Sequence, residues 1–444
     1  MKVLVVSVGG SDVPVVTSVK KNNADYVYFV CSENDGQGNN GSWETVEGRI
    51  TSPVHACKNC GAKSGGTMST PLVEQTGLEA GTYEIIKVPC DKVYDVYEAV
   101  NKVIAKHIEK KDEVVVDYTG GTKSMAAGCV AAAMDYLECQ MSLVTGQRVD
   151  LLKVRDGQEK FKKIRGVNKA FVHRRVELAQ RLFAARDYEG SRVALEELVE
   201  NDLADEKQDK WLDICRAFAE WDCFSWEQAA EKLKGYNAMP EVQPFFGQMG
   251  LVRNSLKWFE NWKAGGRALH DYAPVYDLLL NAERRAAAKA YDDAMARVYR
   301  AVEMYAQFAL KNCNPPINTS DVEVAALPES LQKRYETRRN AGGKVQLGLE
   351  ADYDLLAELD HPVGKVWGTK ENKGHRKKVL DMMKKRNYSF LAHGTEPFQE
   401  ADWQDVRRVV WEFIEAADSQ MDVRVPFAQT KQLPNDLRRF VFAE

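Results

Sequence analysis

The sequence predicts α/β plus all-α architecture, and three observations predict it. Between residue 1 and about residue 165, short β-branched runs alternate with amphipathic helical patterns. From about Gly166 to the end the pattern is almost entirely helical, with very few β-branched clusters. The chain has 444 residues, more than one hydrophobic core usually serves. The reading that follows is a doubly wound parallel sheet domain over 1–165, a helical middle region over 166–270 and a helical C-terminal domain over 271–444.

Val3–Val8, Tyr26–Cys31, Tyr83–Val88, Glu113–Asp117 and Met141–Val144 are the predicted strands. Asp91–Lys110 is the clearest helix among them, with Val93, Val96, Val100, Val103, Ile104 and Ile108 on one face. The polar, glycine-rich stretch Ser32–Ala80 is too long for an ordinary connection and reads as an insertion. Further on, Val176–Leu198 and Asp213–Leu233 each read as a helix pair. A long helix is predicted over Asn281–Lys311, stopped by Asn312-Cys313-Asn314-Pro315-Pro316 because proline lacks the amide donor and restricts its predecessor. After an irregular break at Ala341–Gly348, helices follow from Arg376 to about Asn387 and beyond, and from Ala401 to Met421.

Composition narrows the function classes. Hydrophobic residues at 44% and charged residues at 28% are ordinary globular values. The most apolar long stretch, about Ala126–Val144, is interrupted by Asp135 and Glu138, so no membrane span is expected. Met-Lys leads straight into a strand rather than a secretory signal, and the expected location is cytoplasmic. Nine scattered cysteines argue for reduced thiols rather than a disulfide framework. A net charge of −4 requires any nucleic-acid contact to come from a local basic patch.

The segment Asp117-Tyr118-Thr119-Gly120-Gly121-Thr122-Lys123 joins a buried strand to a small-residue helix. Its glycine pair lets a ligand approach the main chain, and the helix start offers free amide donors to phosphate or ribose oxygens. A tight turn with no ligand is the plainer alternative. It is not a Walker A loop, because Thr122 stands where that motif has glycine before the lysine. A second glycine loop, Ser7-Val8-Gly9-Gly10-Ser11-Asp12, opens at the same edge if the first and fourth strands are neighbours. The 117–123 segment resembles the signature of the CARF family, a CRISPR-associated Rossmann-like fold that senses cyclic oligoadenylates. The resemblance implies Gly10, Ser11, Thr119, Gly120, Gly121, Thr122 and Lys123 as ligand-cleft residues, a dimeric cleft, and an activator in which cyclic tetra-adenylate is favoured over cyclic hexa-adenylate.

Near the C-terminus, Lys385-Arg386-Asn387-Tyr388-Ser389-Phe390-Leu391-Ala392-His393-Gly394 places Arg386 and His393 nearly two helical turns apart, so both are expected on one helix face, His393 leaning back toward Arg386. A histidine titrates near neutrality and a guanidinium neutralises a scissile phosphate, a pairing suited to RNA cleavage. Six lysines and two arginines against two acids over Lys370–Arg386 make a basic approach. Charge runs are usually solvated faces, and it is the position before Arg386 that makes this one a candidate.

Arg386-Asn387 through His393-Gly394 resembles the HEPN ribonuclease motif, with Asn387 at its polar position. The resemblance implies a homodimer whose active site is built by two copies, catalysis that requires no cofactor, and single-stranded RNA cut to 2′,3′-cyclic phosphate and 5′-hydroxyl ends. Leu280–Glu303 resembles the opening helix of the same domain and is read as mainly structural. Together the two ends of the chain resemble the CARF-HEPN effector ribonucleases of type III CRISPR systems.

Cys57 and Cys60 have the two-residue spacing of a zinc knuckle but lack an obvious second pair, so free thiols are expected there. His107, His173, His270, His361 and His375 stand alone and read as surface or packing residues. The rival reading is a non-catalytic cyclic-oligoadenylate sensor that recruits a partner or regulates transcription; a fused metal-dependent DNA nuclease lacks its clustered acids.

Overall fold

Val3, Leu4, Val5 and Val6 are each 0% exposed. They form an unbroken apolar run because their strand lies inside a parallel sheet covered on both faces. The computed structural model describes residues 1–34, 41–48, 55–56, 63–64, 70–145, 148–149, 153–154, 160–163, 167–261, 269–369, 374–389 and 394–442. Its contacts divide the chain into Met1–Arg174 and Arg175–Glu444.

The first unit holds a sheet of six strands: β1 (Lys2–Val8), β2 (Tyr26–Ser32), β3 (Tyr83–Val88), β4 (Glu113–Asp117), β5 (Cys139–Thr145) and β6 (Lys160–Lys163). Their order is β6-β5-β4-β1-β2-β3, parallel throughout except that β6 runs antiparallel to β5. Side chains alternate between two cores. Val3 and Val5 share one with the helices Val93–Glu109 and Lys123–Ala133; Leu4 and Val6 share the other with the helix Asp12–Asn22. The chain builds outward through β2 and β3, then returns to the other side of β1. The switch point of the sheet therefore lies between β1 and β4, where ligands of such sheets bind beyond the strand ends.

The sixth strand is absent from the sequence reading, since Lys160-Phe161-Lys162-Lys163 looks like a charged connection. It becomes a strand by pairing with β5, and lysines suit a sheet edge. His107 has a structural place: its Nε2 lies 3.0 Å from the Tyr28 hydroxyl and its Nδ1 2.8 Å from Asp112, which also binds the N-terminal amine.

In the second unit, Tyr188–Glu200, Glu206–Asp222, Trp226–Leu233 and Gln243–Glu260 precede the helices Ala273–Ala287 and Tyr291–Lys311. The single helix expected over Asn281–Lys311 is thus a helical hairpin. Lys289 turns the chain at φ 61°, and Asp292 and Asp293 begin the second helix where its dipole favours acids. No glycine or proline marks this turn. It is held from a distance, by Arg297, which donates to Asn281 across the hairpin, and by the shared core. Leu349–Glu358, Arg376–Asn387 and Glu400–Asp418 pack on it.

Two buried aspartates fasten this unit. Asp277 accepts from the indole N–H of Trp221 at 2.8 Å and Trp226 at 2.9 Å. Asp418 accepts from the hydroxyls of Tyr276 and Tyr305 and from the Phe427 amide. The stretch after Asp418 then runs back to the earlier helices, where the Phe440 carbonyl accepts from Trp211 and its ring meets Phe183 and Phe218. Among the described residues no helix is long and apolar enough to cross a membrane.

Candidate functional site

At the switch point the two glycine loops interlock. The Ser7 hydroxyl donates to the Gly120 carbonyl at 2.8 Å. A Cβ on Gly9 would stand 2.6 Å from the Gly121 nitrogen, and one on Gly120 would stand 2.3 Å from the Ser7 carbonyl oxygen. These two glycines are therefore required by backbone approach alone. Gly121, at φ +79°, is required by its conformation. Gly10 differs: a Cβ there meets nothing within 4 Å, and the residue faces solvent.

Asp117 is fully buried beneath the loop, where its carboxylate accepts from the Thr119 amide at 3.0 Å and the Ser142 hydroxyl at 2.6 Å. Thr119 Oγ1 accepts from the Val144 amide, which leaves its hydroxyl proton to donate. Thr122 Oγ1 donates to the Cys90 carbonyl and accepts from the Met125 amide, capping the helix Lys123–Ala133. Both of its roles are thus taken by the fold. Exposed residues supply what remains: Gly10, Ser11 and Gly121, with Lys123, which has no ion-pair partner among the described residues. Ser11 begins a second helix, Asp12–Asn22, without a side-chain cap bond. Two helix starts and one free ammonium at one edge make an anion-accepting surface.

In the second unit, Arg386 and Asn387 close the helix Arg376–Asn387. The Arg386 guanidinium lies over the ring of Tyr299, 4.8 Å from its centroid, and has no carboxylate partner among the described residues. Asn387 is exposed, and Tyr388 is 74% exposed, the highest value among the large apolar side chains. Tyr299 was not foreseen: it lies in the stretch read as structural, and only the fold brings it under Arg386.

The helix does not continue toward His393, which lies outside the described residues. Ser389 leaves the helix to bridge with Glu396, and the Gly394 amide returns to the Ser389 carbonyl at 3.1 Å. The shared helix face expected for Arg386 and His393 is therefore not formed by this helix, which ends at Asn387. The basic approach is also thinner than its sequence count. Arg376 is held by Asp354 and Glu350, and Lys385 by Asp402 and Asp405, so that among the described residues of this stretch Lys377, Lys378 and Lys384 are the exposed lysines; Lys370 and Lys373 lie outside them. Arg284, Arg285, Arg297 and Arg300 are engaged by Asp222, Asp293 and Glu303, in keeping with a structural hairpin. Cys57 and Cys60 lie outside the described residues, among which no three His, Cys, Asp or Glu side chains gather as metal ligands.

The chain thus pairs a sheet domain that has a glycine-lined switch point with a helical domain that has an arginine-asparagine helix end. Residues 268–417 match the family described as the Csm6 HEPN domain. Over the whole length, the fold is similar to that of Enterococcus italicus Csm6 bound to cyclic hexa-2′-fluoro-hexa-dAMP. The TM-score is 0.53 at 13% identity, with 95% of each chain covered. No curated protein matches the sequence significantly.

Proposed function

We propose that this chain is a CRISPR-associated endoribonuclease switched on by a cyclic oligoadenylate. The observation that carries the proposal is the position of Arg386: within the Csm6 HEPN match, at a helix end, backed by Tyr299 and free of any described carboxylate. Arg386 and Asn387 hold and neutralise the scissile phosphate, and His393 transfers or positions a proton. The RNA 2′-hydroxyl attacks its own phosphate and loses its proton. The 5′-oxygen leaves and takes one up, giving 2′,3′-cyclic phosphate and 5′-hydroxyl ends with no cofactor. Two copies supply the paired helices of one active site, so the functional unit is a homodimer.

Gly10, Ser11 and Thr119 to Lys123 receive the activator, an assignment supported by their convergence at the switch point. The middle helices, 166–270, carry the signal to the nuclease domain, 271–444. The form of the glycine loop favours cyclic tetra-adenylate, whereas the similar structure holds a six-membered ring analogue. A single assay decides these points: the full chain with labelled single-stranded RNA in EDTA, with no activator, cyclic tetra-adenylate or cyclic hexa-adenylate. Cleavage with the tetramer is the expected result. Absence of cleavage under every condition overturns the enzyme in favour of a non-catalytic sensor, and unchanged cleavage by His393→Ala removes His393 from the site.

A further inference from the structure

The helical unit contains a cavity of about 550 Å³ that neither the sensor nor the nuclease reading uses. Six cationic side chains line it: Arg186, Arg192, Arg216, Lys232, Arg284 and Arg285. Four carboxylates of the lining oppose them, and Glu196 and Asp213 from outside it engage Arg192 and Arg216, so the donors at issue are those of Arg284, Arg285, Arg186 and Lys232. Asp222 serves both Arg284 and Arg285, with Gln432 accepting from a second nitrogen of Arg284 and Asp293 4.0 Å from Arg285. Glu189 is taken up by Arg192, and Asp187 caps the helix Tyr188–Glu200 by accepting from the Gly190 amide. Glu220 is the fourth.

The cations that remain are informative. Arg284 is 5% exposed, yet its Nη2 has no acceptor among the described residues, and neither has Nε of Arg285. Buried guanidinium donors left without acceptors mark a place for an absent partner, since burial removes the water that would otherwise bond them. Among the described residues Lys232 is exposed and without an ion pair, and Arg186 bonds the Leu433 carbonyl and no carboxylate. Guanidinium groups bind phosphate in two-pronged fashion, and the volume is within the range of small-ligand pockets.

We propose that this cavity binds a small phosphomonoester of mononucleotide size, its phosphate held by Arg284 and Lys232 with Arg186 beside them. An extended RNA strand is disfavoured by the volume of about 550 Å³, and a neutral ligand by the buried Arg284 donor and the exposed Lys232 ammonium that face no acceptor among the described residues. The site is separate from Arg386 and from the glycine loops, and it stands whether or not the chain cleaves RNA.

Calorimetric titration of the full chain with 5′-AMP tests it, with adenosine as the ligand lacking phosphate. One AMP is expected per chain, with adenosine at least tenfold weaker. Lys232→Glu, at an exposed position, should weaken AMP at least tenfold without altering the melting curve. Arg284→Gln should weaken it further, read only if that variant melts as a folded protein. Equal binding of adenosine and AMP overturns the proposal, as does no binding of AMP at millimolar concentration, which would leave ordered water as the partner of the orphaned donors. AMP binding that survives Lys232→Glu overturns it too, and loss of that binding in Lys123→Ala would then place it at the sensor edge.

Discussion

The guanidinium of Arg386 rests on the ring of Tyr299, 4.8 Å from its centroid, with no carboxylate among the described residues to neutralise it. A group held in this way keeps its full charge for a phosphate. Arg386→Ala should abolish cleavage. Tyr299→Ala should lower kcat by roughly 2- to 30-fold, the equivalent of about 0.5–2 kcal/mol of lost cation–π contact, with little change in KM. Tyr299→Phe should restore most of the rate because the ring face remains. Single-turnover kinetics check this, and equal loss in the alanine and phenylalanine variants would assign the role to the hydroxyl.

The glycine loops separate structural from ligand roles. Gly9→Ala and Gly120→Ala drive a methyl into backbone at 2.6 and 2.3 Å and should lower the melting temperature of the protein. Gly10→Ala meets open space and should melt like the parent, while weakening activation. Lys123→Ala should abolish activation and leave basal cleavage intact. Thermal melts beside activator titrations distinguish these outcomes, and loss of basal cleavage in Lys123→Ala would mean that the loop only holds the fold.

Asp352 is fully buried, neither of its carboxylate oxygens has a partner among the described residues, and burial beside Glu303 pushes its pKa from 3.8 up to about 7. The fold therefore holds a proton that the unfolded chain releases above pH 3.8. The stability it contributes is complete below that pH and is lost as pH rises through about 7. Asp352→Asn should match the parent near pH 4 and exceed it at pH 8 by roughly 4 kcal/mol, since a buried unpaired charge is removed. Melting curves at the two pH values provide the check; an equal shift at both would disprove the ionisation.

Asp418 gathers three donors in the core, from Tyr276, Tyr305 and the Phe427 amide. Asp418→Ala leaves them all unpaired and opens a cavity, and should cost about 3 kcal/mol or more in denaturant unfolding. The stretch beyond Asp418 should also loosen, so proteolysis near Phe427 is expected to accelerate. An effect below about 1 kcal/mol would show the tyrosines finding water instead.

Much of the fold was legible because it follows local rules. The five parallel strands, the helix Val93–Glu109 and the stop at Asn312–Pro316 come from periodicity and from proline chemistry, which act within a few residues. The glycine loops were legible as candidates for the same reason. The hairpin turn at Lys289 was not, since Ala286–Ala290 favours helix locally and only packing across the hairpin bends it. His393 was placed on the face of Arg386 by helical spacing, and spacing has no force once the chain leaves the helix at Tyr388.

The sequence by itself determined the order of the two domain types, the buried β1 run and the residues offered at each candidate site. Tertiary structure alone decided that β1 and β4 are neighbours, so that Gly9 meets Gly121, and that Tyr299 lies beneath Arg386. It also decided that Asp222 must serve two arginines. The reason is the range of the forces involved. Backbone propensity and capping are set by adjacent residues, whereas pairing, burial and charge compensation depend on which distant residues the fold brings within a few ångströms.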